Sequence, residues 1–172
     1  MRNIFIGFLF VFLDFNLTLG ASQIGLIPDF VGYILVFQGL TELEKMSARF
    51  IKARPFALGM AVYTGLLYAL ALFGIGTNDI VSFVLGLVST LISLYISYNI
   101  VMGVKEIEAS SGRFLNAQGL YSNWTLLAIL SLIVYLLLFI PILNVLCIIA
   151  GLVAGIVFLV SFNKTKNLYY GS

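Results

Sequence analysis

One apolar stretch, from Trp124 to Phe162, contains no charged residue. A helix needs only about 20 residues to cross the ~30 Å hydrocarbon core of a bilayer, so this stretch is too long for one span and long enough for two. Pro141 and Asn144 interrupt it, and proline breaks a helix because it has no backbone N–H and clashes with the preceding turn. The stretch therefore predicts two membrane spans joined by a tight turn.

Four further apolar runs precede this pair. Together the runs predict an all-α, polytopic integral membrane protein, a single transmembrane domain with six transmembrane helices in one bundle. Composition agrees, because 62% of the 172 residues are hydrophobic and only 9% are charged, against about 25% charged in soluble domains. The predicted spans are residues 4–20, 24–40, 56–76, 80–104, 124–140 and 143–162.

Basic residues occur only in alternate connections between these spans. The connections around residues 21–23, 77–79 and 141–142 contain no Lys or Arg. Because Lys and Arg are retained on the cytoplasmic side, this pattern predicts a multi-pass protein of the cell membrane with both termini cytoplasmic. The nine basic residues are Arg2, Lys45, Arg49, Lys52, Arg54, Lys105, Arg113, Lys164 and Lys166.

The first run has a second interpretation. Arg2, the apolar residues 4–13 and the small residues Gly20 and Ala21 also resemble a signal peptide, whose cleavage would leave five spans. We favour retention of the run, because Asp14 and Asn16 interrupt the approach to the cleavage site.

The first two runs contain polar residues that are unusual in a membrane. Asp14 lies ten residues after Ile4, which is ~15 Å along a helix and near the middle of the bilayer. A carboxylate there costs at least ~2.5 kcal/mol and is a candidate for function. The candidate polar intramembrane site comprises Asp14, Asn16, Thr18, Gln23, Asp29 and Tyr33.

Two interpretations of this site stay open. In the structural one, which we favour, Pro28 begins a helix and Asp29 interacts with the positive end of its dipole. In the functional one, irregular backbone between Gly20 and Pro28 lines a cavity, as broken helices do in transporters.

Small residues in the later runs predict helix packing surfaces. They are Ala57, Ala61, Gly65 and Ala69 in the third run and Gly151 and Gly155 in the sixth. The fourth run has Ser82, Gly86 and Thr90 in one row and Ser89, Ser93 and Ser97 in the next. We interpret these rows as packing surfaces too, with a hydrated path as the alternative.

The connection after the second run is basic and amphipathic. Lys45, Arg49, Lys52 and Arg54 form a cytoplasmic basic segment, and the second span is expected to continue into it as an interfacial helix. Its expected partner is the lipid bilayer, through anionic headgroups, although another membrane protein or a second copy of the chain would also fit.

The residue inventory excludes several kinds of chemistry. Without any His, the chain can form neither a zinc protease site nor a Ser-His pair, and it has no Gly-rich Lys loop for nucleotide phosphates. We therefore expect no catalytic residues, no metal, no cofactor and no nucleic-acid partner. An intramembrane enzyme acting on lipid or a membrane-embedded substrate would require Asp14 and Asp29 to converge.

The stretch LIPDFVGYILVFQGLTELEKMSARFIKA, residues 26–53, resembles a segment of uncharacterised small multi-pass membrane proteins of Gram-positive bacteria. The resemblance rests on Pro28, Asp29, Gly32, Tyr33, Gly39 and Leu40. The architecture resembles substrate-capture subunits of energy-coupling-factor transporters, which implies a six-span subunit that binds a solute. In that family a small-residue motif on the first span docks the coupling subunit, whereas residues 4–13 here are mainly Phe, Leu and Ile.

Two functions follow as hypotheses. The first is a non-enzymatic membrane subunit or accessory protein, because the chain has neither a soluble domain nor an energy-coupling motif. The second is a small solute or ion transporter that uses Asp14 and Asp29.

Overall fold

The computed structural model describes residues 1–12, 16–19, 22–25, 28–74, 79–137 and 140–171. Within these ranges the chain forms helices α1 to α6 and one antiparallel hairpin of strands β1 and β2. This confirms the predicted all-α class and adds a small hairpin to it. The elements are α1 (Arg2–Phe12), β1 (Asn16–Leu19), β2 (Ser22–Gly25), α2 (Asp29–Leu43), α3 (Ala48–Leu72), α4 (Asp79–Ser111), α5 (Ala117–Leu136) and α6 (Pro141–Tyr170).

Four helices, α3 to α6, are long and apolar enough to cross a membrane. They contain 25, 33, 20 and 30 residues, which gives lengths of about 38, 50, 30 and 45 Å. The protein is therefore a membrane protein, and the six-span prediction is confirmed for these four helices. The break between the last two is present, since α5 ends at Leu136 and Pro141 is the first residue of α6, and the Asn144 side-chain amide donates to the Val134 carbonyl at 2.7 Å.

The first two predicted spans, 4–20 and 24–40, take a different form. Helix α1 has 11 residues and α2 has 15, so they measure about 16 and 22 Å, less than the bilayer core. Between them, Asn16 pairs with Gly25 and Leu19 with Ser22. A hairpin satisfies backbone hydrogen bonds between its own strands, so it can replace helical turns where the sequence is poor in helix formers.

Each helix packs against the next one along the chain, and α6 packs against α1, so the helices close into a ring. Helices α1 and α2 approach most closely at glycines. A Cβ on Gly7 would lie 2.5 Å from the Gly32 carbonyl oxygen, and one on Gly39 would lie 2.8 Å from the Ile4 backbone nitrogen. Such contacts require residues without a side chain, as in other membrane helix pairs.

The ring has two distinct ends. The end that we call the basic end holds residues 1–3, 44–47, 112–116 and 164–171. The opposite end, which we call the hairpin end, holds β1, β2 and residues 73, 74, 137 and 140. Two ion pairs lie near the basic end: Arg54 of α3 pairs with Glu44 at 2.7 Å, and Arg49 of α3 pairs with Glu106 of α4 at 3.0 Å.

The expected interfacial extension of the second span is absent, because α2 ends at Leu43 and a turn follows. Ser47 then caps α3, since its hydroxyl accepts from the Arg49 backbone N–H at 3.1 Å and donates to the Glu106 carboxylate. A Ser cap stabilises a helix start by satisfying an otherwise unpaired N–H. The cap therefore fixes where α3 begins.

Candidate functional site

A cavity of about 360 Å³ lies between α1, α2, α4, α5 and α6. We call it the central cavity. Its lining combines one carboxylate and several hydroxyl groups with apolar side chains, which is unusual inside a ring of apolar helices. The lining residues are Val11, Phe12, Asp29, Tyr33, Ser89, Thr90, Ser93, Leu94, Ser131, Val134, Tyr135, Ile148 and Gly151.

Helix α2 contributes the acidic side of the cavity. Pro28 precedes the helix with an extended backbone, φ −65° and ψ 130°, and half-buried Asp29 is its first residue. The positive end of the helix dipole stabilises negative charge at this position. One turn later Tyr33 is 4% exposed, and it lines the cavity together with Ser93 of α4. Asp29 is thus both the first residue of a helix, as the structural interpretation expects, and a lining residue of a cavity, as the functional interpretation expects.

Helices α4 and α5 contribute the hydroxyl groups. The Thr90 and Tyr135 hydroxyls are 2.8 Å apart and hydrogen bonded across the two helices. The Tyr135 ring packs edge-on against Phe83, with centroids 5.7 Å apart. The Ser131 hydroxyl donates to the Leu127 carbonyl of its own helix at 2.8 Å, so its oxygen can still accept a further hydrogen bond. The side of the cavity formed by α4 and α5 can therefore both donate and accept hydrogen bonds.

Aromatic residues of α1 and α6 pack together on the basic-end side of the cavity. Phe8 packs against Phe158 and Phe162, with ring centroids 5.7 and 5.5 Å apart, and Phe12 packs against Phe158 at 5.7 Å. Phe158 and Phe162 are fully buried. Such edge-to-face packing fills space densely. The cavity therefore lies in the half of the ring nearer the hairpin end, which we call the hairpin half; the other half is the basic half.

A second cavity, of about 260 Å³, lies between α2, α3 and α4, and we call it the side pocket. It shares Asp29 and Ser89 with the central cavity, so the two adjoin. The Tyr63 hydroxyl donates to the Leu85 carbonyl at 3.4 Å and links α3 to α4 at this level. Its lining residues are Asp29, Tyr63, Thr64, Leu67, Ser82, Leu85, Gly86 and Ser89.

Three of the predicted site residues, Asn16, Thr18 and Gln23, belong to the hairpin. Asp14 lies outside the described residues. Asn16 and Thr18 belong to β1 and Gln23 to β2, where Thr18 pairs with Gln23 in the backbone register. For these three only the backbone is described, so their part in the predicted site stays a prediction.

Of the predicted set, the structure places Asp29 and Tyr33 together at the central cavity. It also brings there hydroxyl residues that the sequence analysis assigned to helix packing, namely Ser89, Thr90 and Ser93. The sequence does indicate a polar face on α4, because hydroxyl residues recur every three to four positions along the fourth run. What the sequence could not supply was the rotation of α4, which turns these residues toward Asp29.

The predicted packing positions on α3 differ in burial. Ala57 and Ala61 are buried, and Ala69 is partly exposed. A Cβ on Gly65 would lie 3.6 Å from the Phe30 Cβ, which is ordinary contact between α2 and α3. This row therefore lies against a neighbouring helix at its basic-end portion.

The predicted packing positions on α6 also differ. Gly155 is buried, with Leu127 as its neighbour at 4.0 Å. Gly151 lines the central cavity and has open space around the position of a Cβ. Gly151 thus adds room to the cavity instead of a helix contact.

In the basic segment, Lys45 and Lys52 are exposed, whereas Arg49 and Arg54 form the ion pairs described above. The Arg54 guanidinium also lies 5.1 Å from the centre of the Phe37 ring. The two arginines therefore hold helices together, and the two lysines remain available to headgroups or a partner.

Comparison with family models, with curated proteins and with solved structures found no match to this chain. Function must therefore be argued from the chemistry of the site. Among the described residues, no group of three His, Cys, Asp or Glu side chains comes together as a metal site would require. The cavity offers a carboxylate, hydroxyl groups and aromatic faces, which together suit reversible binding of a small molecule.

Proposed function

We propose that this membrane protein binds a small organic cation in the central cavity, as the substrate-binding subunit of a transport system. The observation that carries the proposal is the Asp29 carboxylate at a hydroxyl-lined cavity of about 360 Å³ within the helix ring. That volume is near the lower limit of about 300 Å³ for small-molecule sites. A compact solute fits better than a large cofactor.

The charge distribution favours a cation. All nine Lys and Arg residues lie within residues 1–3, 44–54, 105–116 and 164–166, at or near the basic end, while the only charged residues of the segments 13–29 and 73–80 are acidic: Asp14, Asp29 and Asp79. Separated charge of this kind gives the hairpin end a negative potential, which concentrates cations there. The faces of Tyr33 and Tyr135 add cation–π attraction for an ammonium group.

The packing favours entry from the hairpin end. The aromatic cluster around Phe158 fills the space between α1 and α6 on the basic-end side of the cavity, which favours entry of a solute to Asp29 from the opposite half. With the basic residues cytoplasmic, that half faces the outside of the cell. Release to the cytoplasm then requires a change in the packed half, which a partner protein or second copy would drive.

A binding assay with matched variants tests the proposal. The protein in lipid nanodiscs is screened against small amines, quaternary ammonium compounds, neutral polyols and carboxylates by thermal shift and equilibrium binding. We expect amines or ammonium compounds to bind, and Asp29→Asn to weaken binding about tenfold or more through loss of a charged partner. Glu106→Gln removes the same charge at the basic end and should leave the affinity unchanged.

Two results would overturn the proposal. One is that no cation stabilises the wild-type protein while a neutral or anionic solute does. The other is equal cation affinity in the wild type and in Asp29→Asn. Mass spectrometry of the protein purified gently from native membranes tests the subunit role, because a co-purifying membrane protein in fixed stoichiometry is expected.

A further inference from the structure

We infer that the solute is amphiphilic: its cationic head sits at Asp29 and its apolar chain leaves the ring between α3 and α4 into the lipid. The inference rests on the proposed function and specifies its substrate class. It comes from the way three cavities adjoin one another.

The third of these cavities, of about 290 Å³, lies between α3 and α4, and we call it the lipid groove. It shares Tyr63 and Ser89 with the side pocket, and the side pocket shares Asp29 and Ser89 with the central cavity. Ser89 therefore borders all three. The lining residues of the lipid groove are Pro55, Phe56, Gly59, Met60, Tyr63, Val88, Ser89 and Ile92.

Polarity falls at the last step of this line of cavities. The central cavity and the side pocket both contain Asp29 and several hydroxyl groups, whereas the lipid groove is lined almost wholly by apolar side chains. Phe56 and Val88, at the groove, are exposed on the helix surface, which in a bilayer contacts acyl chains. A molecule with one polar and one apolar end matches this gradient, because each part is bound by groups of its own polarity.

The groove owes its width to one glycine. No heavy atom lies within 4 Å of the position that a Cβ on Gly59 would occupy. Here α3 and α4 are linked by the hydrogen bond from Tyr63 to the Leu85 carbonyl and by edge-to-face packing of Phe56 on Tyr95, with ring centroids 4.7 Å apart. A large side chain at position 59 would therefore fill the groove without displacing the backbone.

The chain in the groove belongs to the cationic solute and not to an ordinary phospholipid. The groove leads through the side pocket to Asp29, whose carboxylate attracts the ammonium group of an amine. It repels the phosphate that every phospholipid, including one with an ammonium group in its head, carries next to its chains. A single alkyl chain with an amine head combines the two features in one molecule.

The test uses dodecylamine with a photoreactive diazirine in the middle of its chain, bound to the full-length protein in nanodiscs. Illumination attaches it to neighbouring residues, and mass spectrometry maps them. We expect labels on α3 and α4 around Gly59 and Ile92, suppressed by excess butylamine, which has the same head and a short chain. We also expect labelling at the groove to fall about tenfold in Gly59→Phe, because the new ring excludes the chain.

Val62→Phe is the matched control, since Val62 is a lipid-facing residue of the same helix, 58% exposed and outside the groove lining. It should leave the labelling unchanged, and both variants should bind butylamine like the wild type. Butylamine binding also shows that Gly59→Phe is folded. If that variant does not fold, the labelled positions in the wild-type protein, and the loss of these labels with excess butylamine, still test the inference.

Different outcomes separate the two proposals. Asp29-dependent butylamine binding without labels in the groove overturns the amphiphile inference and leaves the proposed function standing. Labels in the groove that persist with excess butylamine and in Asp29→Asn also overturn it, because any bilayer chain would then occupy the groove. Failure of every cation to bind the wild type overturns the proposed function itself.

Discussion

The two halves of the helix ring are built from the same helices yet differ in packing. On α6, Phe162 is fully buried toward the basic end, whereas Ile148 borders a cavity in the hairpin half. On α4, Ile100 is buried in the core and Ser89 faces three cavities. The comparison indicates that the basic half holds the fold together and the hairpin half provides space for a ligand.

The largest contrast between the halves is expected for aromatic packing. Phe158→Ala should reduce the free energy of unfolding by about 3 kcal/mol, because it removes a buried ring that contacts Phe8 and Phe12 and leaves a void. Leu146→Ala on the same helix, at a side chain that is 57% exposed, should change it little. Unfolding in nanodiscs measures both. Equal losses would contradict the division into halves.

Glycine positions give a smaller contrast. Gly39→Ala should destabilise by about 2 kcal/mol, since the new methyl group would lie 2.5 Å from the Ile4 Cγ1 and 2.8 Å from its backbone nitrogen. Gly151→Ala, where no atom lies within 4 Å, should be neutral or slightly stabilising because Ala favours helix. Thermal unfolding of the pair checks this. Destabilisation by Gly151→Ala would show that the hairpin half is packed as tightly as the other.

Loss of a hydrogen bond in the hairpin half should reduce the free energy of unfolding by less than the glycine substitution Gly39→Ala. Thr90→Val and Tyr135→Phe each remove one partner of the bond across the central cavity, and each should cost about 1 kcal/mol. In a double-mutant cycle the two losses should not add, because either variant already breaks the bond. Strict additivity of the unfolding free energies would show that the two hydroxyls do not interact.

The smallest effect is expected at the surface of the basic half. Glu106→Gln removes the charge that pairs with Arg49, and both side chains are partly exposed, 45% and 32%. Exposed ion pairs contribute about 0.5 kcal/mol and lose this in high salt. The free energies of unfolding of the wild type and Glu106→Gln should differ slightly at low salt and be equal at high salt. A loss as large as that of Phe158→Ala would mean that charge, and not packing, stabilises this half.

Much of the fold was predictable because long apolar runs have few alternatives in a bilayer. The turn at Pro141 and the helix start at Asp29 follow from the local chemistry of proline and of helix dipoles. The early end of α1 at Phe12 was not predictable from hydropathy, because the residues after it are apolar enough to extend a helix.

The candidate site was predictable only in part. Asp29 was identified because a carboxylate in an apolar run is costly. Ser93 and Thr90 were interpreted as packing residues, because a membrane helix is apolar on its lipid side as well as inside, so hydrophobicity does not reveal its rotation. The close contact of Gly7 with Gly32 was hidden for the same reason, since it depends on which faces meet.

The backbone contact of α1 with α2 has a mechanical consequence. At Gly7, Gly32 and Gly39 the two helices are in close contact, and the side chains of Ile4, Val11 and Val36 pack against these glycines. Sliding one helix along the other would break these close-packed contacts, so we expect the two helices to move together. Asp29 and Tyr33 travel with that pair. In the transport role that we propose, access to Asp29 would then change by displacement of α3 to α6 relative to the fixed pair of helices α1 and α2.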